Sequence, residues 1–235
     1  MDGELVSLDG FPETLSPRPD LVIFASRHES ESGQPCLTVH PPGNVGDMFH
    51  GGQARRLSMA SPLEMQQALR ALKALNADPS FGVTLEATHH GPLTDVPSFF
   101  IEIGSDSSRW RDHAAGEVLA MAISRVINEP IVARDDAPVA VAFGGPHYSS
   151  GFTQLVTETR VSVSHLVPKH QIGEVDDVML GMLLERSVPR PGFAVLDWKG
   201  IGGEERRRLV ASMGRVGLKH FRLRDCLRGR VPASR

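Results

Sequence analysis

An α/β fold with a mixed, partly parallel sheet is what this sequence predicts, on three observations. Short β-branched or aromatic runs are bounded by Gly or Pro, amphipathic helical segments lie between them, and polar, glycine-bearing loops follow the runs. Seven runs read as strands: residues 21–26 (LVIFAS), 36–40 (CLTVH, ended by Pro41-Pro42-Gly43), 81–89 (FGVTLEATH), 98–103 (SFFIEI), 138–143 (PVAVAF), 152–158 (FTQLVTE) and 193–198 (FAVLDW). A hairpin over 152–163 would make the sheet mixed.

Four helices are predicted between them. Ser61-Pro62-Leu63-Glu64 is a capping box with proline at the first helical position, and Met65, Leu69, Leu72 and Leu75 supply an apolar face. A second helix is expected from near Ser107, with Trp110, Ala114, Val118, Met121 and Ala122 at helical spacing until Asn128-Glu129-Pro130. A third covers 176–186 with Met179, Met182 and Leu183 inward. A fourth covers 203–216 with Leu209, Val210, Met213 and Val216 on one side. The polar segments 26–35 and 41–58 are expected loops, and loops at strand ends are where α/β proteins place their sites.

Composition narrows the function classes. The 235 residues are 40% hydrophobic and 23% charged, and no stretch has the ~20 apolar residues needed to span a bilayer. The start, Met1-Asp2-Gly3-Glu4, lacks a signal-peptide pattern, so a cytoplasmic protein is expected, with no membrane partner. Cys36 and Cys226 are far apart and outside any CxxC motif, which excludes a cysteine-rich zinc site and fits two free thiols. Formal net charge is −3, unevenly spread: from Lys199 to Arg235 eleven basic residues face three acidic ones, net +8, leaving −11 for the rest. That asymmetry points to a polyanionic partner, the alternative being a solvated basic helix face.

Three clusters carry chemistry. In Glu86-Ala87-Thr88-His89-His90-Gly91-Pro92, adjacent histidines on a strand point to opposite faces, so both reach one site only if the strand ends or bulges, which Gly91-Pro92 permits. One of the two is then a candidate base or metal ligand, the alternative being one structural and one exposed histidine. In Phe99-Phe100-Ile101-Glu102-Ile103-Gly104-Ser105, Glu102 sits among large apolar residues. A buried carboxylate must be paired, protonated or bound to a cation, which suggests that it holds a histidine or a metal. Gly104-Ser105-Asp106-Ser107 would open a helix whose amides bind an anion. In Gly144-Gly145-Pro146-His147-Tyr148, the glycines allow a sharp turn or close approach to a ligand. His147 is a candidate base or ligand, and Tyr148, the only tyrosine, a hydrogen-bond donor to an oxyanion or a stacking surface. Asp197-Trp198-Lys199-Gly200 puts an acid and a base at a strand end. His28, His40 and His165 carry weaker signals, and His50, His113, His170 and His220 are expected on the surface.

FASRHESESG (24–33), LTVHPPGN (37–44), LEATHHGP (85–92), FFIEIGS (99–105), GGPHY (144–148) and LDWKG (196–200), in that order, resemble the archaeal and plant-type D-aminoacyl-tRNA deacylases across most of the chain. The resemblance implies a three-layer sandwich with a mixed, largely parallel central sheet, similar to peptidyl-tRNA hydrolase and purine nucleoside phosphorylase-like folds. It also implies one deacylase domain over residues 1–235, with a shortened N-terminus and a basic C-terminal region. A D-aminoacyl-tRNA substrate is implied, with no DNA partner, and zinc (Zn2+) at two ions per monomer. A monomer is expected. From the residues themselves, rather than from the resemblance, His89, His90, Glu102, His147 and Tyr148 are the expected catalytic residues. His89, His90, His147 and Glu102 are the expected metal ligands, and Thr88, Gly104, Ser105, Gly144, Gly145, Lys199 and Arg206 the expected substrate contacts. Three departures stand out: only about 20 residues precede the first motif where the family carries an extra strand, Ser149-Ser150-Gly151 replaces an Ala-Pro-basic run, and Pro168-Lys169-His170 replaces Pro-Lys-Tyr. Two other readings fit the residues: a metal-dependent hydrolase of a small ester or amide, and a non-catalytic RNA-binding module.

Overall fold

Two four-stranded sheets meet at a seam, and the strand ends at that seam carry the ionisable residues. The computed structural model describes residues 4–30, 33–47, 50–131 and 136–230. Met1–Gly3, Glu31-Ser32 of the first motif, Met48-Phe49 of the second polar loop and Arg235 of the basic tail lie outside the described residues. In chain order the elements are β1 (Val22–Arg27), β2 (Cys36–His40), β3 (Gly43–Asn44), β4 (Arg56–Leu57), α1 (Pro62–Leu75), β5 (Gly82–Leu85), β6 (Ser98–Gly104) and α2 (His113–Asn128). Then follow β7 (Val139–Phe143), α3 (Ser150–Glu158), β8 (Ser162–Val167), α4 (Asp177–Glu185), β9 (Phe193–Leu196), α5 (Gly203–Arg215), β10 (His220–Arg222) and α6 (Leu223–Cys226).

The first sheet has the order β1-β6-β2-β5, and the second the order β10-β9-β7-β8. Every pairing in the second sheet is parallel. The mixed character comes from β2, which runs antiparallel to β6 and parallel to β5. The seam is made by the chain leaving β5. Ala87 N–H donates to His147 O at 2.9 Å, and Thr88 N–H to Leu166 O at 2.9 Å. Glu86 forms an antiparallel bridge with Tyr148.

β7 explains why its run is apolar throughout. Its residues alternate between faces: Ala140 and Ala142 pack with α1 and α3 residues, while Val141 and Phe143 pack with Met179, Leu183, Leu209 and Met213 of α4 and α5. Helices on both faces of a parallel sheet leave no polar side to the strand, and the result is three layers.

Several expectations are corrected. Residues 152–158 are helical, not a strand or the first arm of a hairpin: Phe152, Leu155 and Val156 are buried at helical spacing, and the Ser149 side chain accepts from Phe152 N–H as N-cap. The second helix begins at His113, with Asp112 accepting from Ala115 N–H, so Gly104–Ser107 does not open a helix. Its inward face is Ala115, Leu119, Ala122 and Val126, and Met121 is 46% exposed. Val216 is likewise exposed. In the predicted capping box, Ser61 Oγ donates to the Glu64 carboxylate at 2.5 Å rather than capping a backbone amide.

Phe152→Ala, which empties a fully buried ring site, is expected to destabilise the protein by about 3–5 kcal/mol in urea unfolding. Met121→Ala, on the outer face of α2, should change stability by less than about 0.5 kcal/mol. Reversed magnitudes would refute this assignment of helix faces.

Candidate active site

Five histidines, two glutamates and a tyrosine converge at the seam. The turn after β1 supplies His28, the end of β2 His40, the chain after β5 Glu86, His89 and His90, the body of β6 Glu102, and the turn after β7 His147 and Tyr148. His89 and His90 share the site because β5 ends at Leu85 and His90 takes a left-handed φ of 43°. Their ring centroids lie 4.4 Å apart, with His40 at 4.0 Å from His89 and 4.8 Å from His90, and His147 at 4.5 Å from His89.

The carboxylates are buried, as are His28 and His40. Glu86 is fully buried, and its Oε2 accepts from His147 Nε2 at 3.0 Å and lies 3.7 Å from His89 Nε2. Its Oε1 lies 3.6 Å from His28 Nδ1. Glu102, 2% exposed, lies 3.6 Å from His28 Nδ1 and 3.4 Å from His40 Nε2. Burial opposes both charges. The His147 hydrogen bond and nearby His89, His40 and His28 outweigh it for Glu86, and His28 and His40 do so for Glu102, holding each carboxyl down at about 2. Burial pushes His89 well below the usual histidine range and His90 down to about 4, so both rings are neutral at physiological pH. Burial opposes charging of His28 too, but Glu102 and Glu86 raise it overall. Tyr148 O–H pairs with His28 Nε2, and burial pushes the phenol up to about 12, so it keeps its proton.

These side chains suit a metal ion. His89 Nδ1 is 2.8 Å from Ala87 O and His90 Nδ1 2.6 Å from Gly91 O. A carbonyl oxygen only accepts, so each Nδ1 carries the hydrogen and each Nε2 offers a lone pair, as in metal-binding histidines. His40 Nε2 and Glu86 Oε1 are buried and make no hydrogen bond among the described residues. Orphaned buried polar atoms are costly, and a cation would satisfy both. Among the described residues three donor sets have mutually close ligand atoms: His40/His89/His90, Glu86/His89/His147 and His28/Glu86/Glu102. Histidine and carboxylate donors fit zinc or another divalent transition ion.

A cavity of about 1250 Å³ opens onto the cluster, lined among others by His28, His89, His90, Glu102, His147 and Tyr148. It thus brings together five expected catalytic residues: His89, His90, Glu102, His147 and Tyr148. The other expected contacts are placed differently. Thr88 is buried: its Oγ accepts from Leu166 N–H and pairs with His165 Nδ1, so it holds the seam. Gly144 N–H is spent on Val167 O, which removes it as an oxyanion donor. Gly144 and Gly145, at φ 96° and 78°, let the loop pack against Asp197 and Ser149, where a Cβ on Gly144 would meet Asp197 O at 3.1 Å. A Cβ on Gly104 would lie 2.6 Å from Cys36 Sγ and 2.9 Å from His28 Cδ2, so this glycine makes room for His28. Ser105 is fully buried with an unpartnered Oγ. Lys199 is exposed and, like Arg206, does not line the cavity. Arg206 stacks on Trp198 at 4.5 Å and donates to Trp198 O at 2.7 Å. Sequence reasoning underrated His28 and His40 and passed over Glu86.

The family model for D-aminoacyl-tRNA deacylase matches residues 15–221. This chain belongs to the D-aminoacyl-tRNA deacylase family. A D-aminoacyl-tRNA deacylase of Thermococcus onnurineus is 37% identical over 87% of this chain and 74% of its own length, and one of Ignicoccus hospitalis is 39% identical over 85% and 80%. A crystal structure described as a conserved protein of unknown function superposes with a TM-score of 0.90 at 29% identity, over 97% of this chain and 80% of that one. No helix among the described residues is long and apolar enough to cross a membrane.

Gly104→Ala should displace His28 and lower deacylation by about a hundredfold, as small misplacements of a catalytic constellation do. Unchanged activity in a folded Gly104→Ala protein, judged by circular dichroism, would show that this packing does not position the site.

Proposed function

We propose that this chain hydrolyses the ester bond between a D-amino acid and the 3′-terminal ribose of tRNA, releasing free D-amino acid and tRNA, at the cavity over His28, His40, Glu86, His89, His90, Glu102 and His147. The observation that carries the reading is this buried histidine–carboxylate cluster under an open cavity, in a chain of the deacylase family.

His40, His89 and His90, with Glu86, Glu102 and His28, would hold zinc. When bound, zinc supplies Lewis acidity toward the ester carbonyl and the attacking water. The chain's own groups do the rest. Glu86 accepts from His147 Nε2–H, which fixes the tautomer and leaves the Nδ1 lone pair as the base for water. The hydroxyl of that water adds to the acyl carbon, and the carbon–oxygen bond to the ribose breaks. The proton taken by His147 passes to the ribose oxygen. Tyr148, protonated at neutral pH, gives up its His28 partner and donates its one O–H to the developing oxyanion. Lys199 and the exposed C-terminal cations Arg207, Lys219, Arg228 and Arg230 contact acceptor-stem phosphates. On this reading the enzyme is a cytoplasmic monomer.

Glu86→Ala and His147→Ala are each expected to lower the D-aminoacyl-tRNA deacylation rate by at least about a hundredfold. Near-normal rates in both would refute the site. A chelator should abolish turnover, with recovery on adding Zn2+. The apparent affinity for tRNA should fall steeply with salt concentration, as phosphate contacts require. A salt-independent rate would favour a small-ester hydrolase, and tRNA retention without turnover a binding module.

A further inference from the structure

A second chemical feature of the cavity lies outside the proton transfers and bond breaking of this hydrolysis. Trp110 sits half-buried in the turn before α2, and its indole N–H donates to His28 O at 2.8 Å. The Arg27 guanidinium lies 4.7 Å from the ring centroid. Trp110 and Arg111 line both the catalytic cavity and a second cavity of about 580 Å³ that continues past His113, Gly116 and Glu117 of α2. Trp110 thus borders both hollows and is tied by one hydrogen bond to the backbone of a residue whose side chain touches Tyr148, Glu86 and Glu102. Arg27 and Arg111 are exposed, and among the described residues neither guanidinium is paired with a carboxylate.

We infer that Trp110, Arg27 and Arg111 form a nucleotide subsite that receives the 3′-terminal nucleotide of the RNA. This rests on the deacylase reading and goes beyond it by naming how the non-reacting part of the substrate is held. A base has a π face and stacks on an aromatic ring without needing a hydrogen-bond code; Arg27 lies over one face of Trp110, so the base takes the other, and the guanidinium groups supply a phosphate fork. The ester to be cut is joined to the ribose that carries that base, so a base platform has to stand within one residue's reach of the reacting groups. Trp110, anchored on His28, does so. Arg111, shared by both cavities, lies where the backbone would pass from the terminal nucleotide toward the preceding one.

Binding of adenosine 5′-monophosphate to the full chain, followed by calorimetry, tests this without turnover. Trp110→Ala is expected to weaken binding about tenfold, the scale of one lost base stack, and Trp110→Phe, which keeps a ring, to weaken it less. Arg111→Ala should weaken the nucleotide but leave unphosphorylated adenosine unchanged. Equal affinities across these variants, or no binding to the wild-type chain, would overturn the subsite. A chain that binds the nucleotide at Trp110 yet deacylates no D-aminoacyl-tRNA would keep the subsite and overturn the activity. Deacylation unaffected by Trp110→Ala and Arg27→Ala would do the reverse.

Discussion

Burying two ionised carboxylates at the join of two sheets is the constraint around which this molecule is organised. An unpaired carboxylate loses several kcal/mol on leaving water, so Glu86 and Glu102 are tolerable only if each is surrounded by groups that carry or can accept positive charge. Glu86 meets His28, His89 and His147, and Glu102 meets His28 and His40. These four histidines come from four separate segments of chain: the first sheet alone brings His28 and His40 to Glu102, and His147 reaches Glu86 only once the Ala87–His147 and Thr88–Leu166 hydrogen bonds have closed the seam. Closing the seam therefore completes the site, and the energetic penalty of burying Glu86 sets how well the seam must fit.

The histidines are not equivalent, and the differences follow from what each ring nitrogen meets. His89 and His90 give their Nδ1 hydrogens to carbonyls two and one residues away, which locks the rings and aims lone pairs inward. His147, more exposed, is oriented by Glu86 and faces the cavity. His28 is the hinge between the two carboxylates and the phenol. Four imidazoles crowded together repel one another when charged. The neutral state forced on His89 and His90 by burial is what makes that crowding affordable, and it is also the state a metal ligand needs.

Much of this was legible in order along the chain, and what was missed shares a cause. Glu102 announced itself because Phe99, Phe100, Ile101 and Ile103 made its burial evident. Glu86 has the same problem, but its neighbours Thr84, Ala87 and Thr88 are small or polar, so the local pattern carried no such signal. His28 and His40 sit at strand ends like many solvated histidines, and only the antiparallel pairing of β2 with β6 brings His40 to Glu102. The misread segment 152–158 is β-branched enough to look extended. The deciding features were Ser149 as a cap and the 152/155/156 spacing, which tertiary packing against α1 and β5 rewards. Propensity lost there to burial of an amphipathic face.

The seam also explains why the glycines flanking the site matter more than their position in motifs suggests. Gly104 lies beside Cys36 and His28, and Gly144 beside Asp197 and Ile201. In both places a backbone runs where a side chain would otherwise stand, so the residue next to the glycine, rather than the glycine's own amide, reaches the cavity or shapes its wall. Gly144 shows the distinction most clearly. Its N–H is consumed by Val167, yet its conformation turns the chain so that His147, three residues on, lands 3.0 Å from Glu86. A motif read as an amide cradle is, in space, a device for delivering an imidazole to a buried carboxylate.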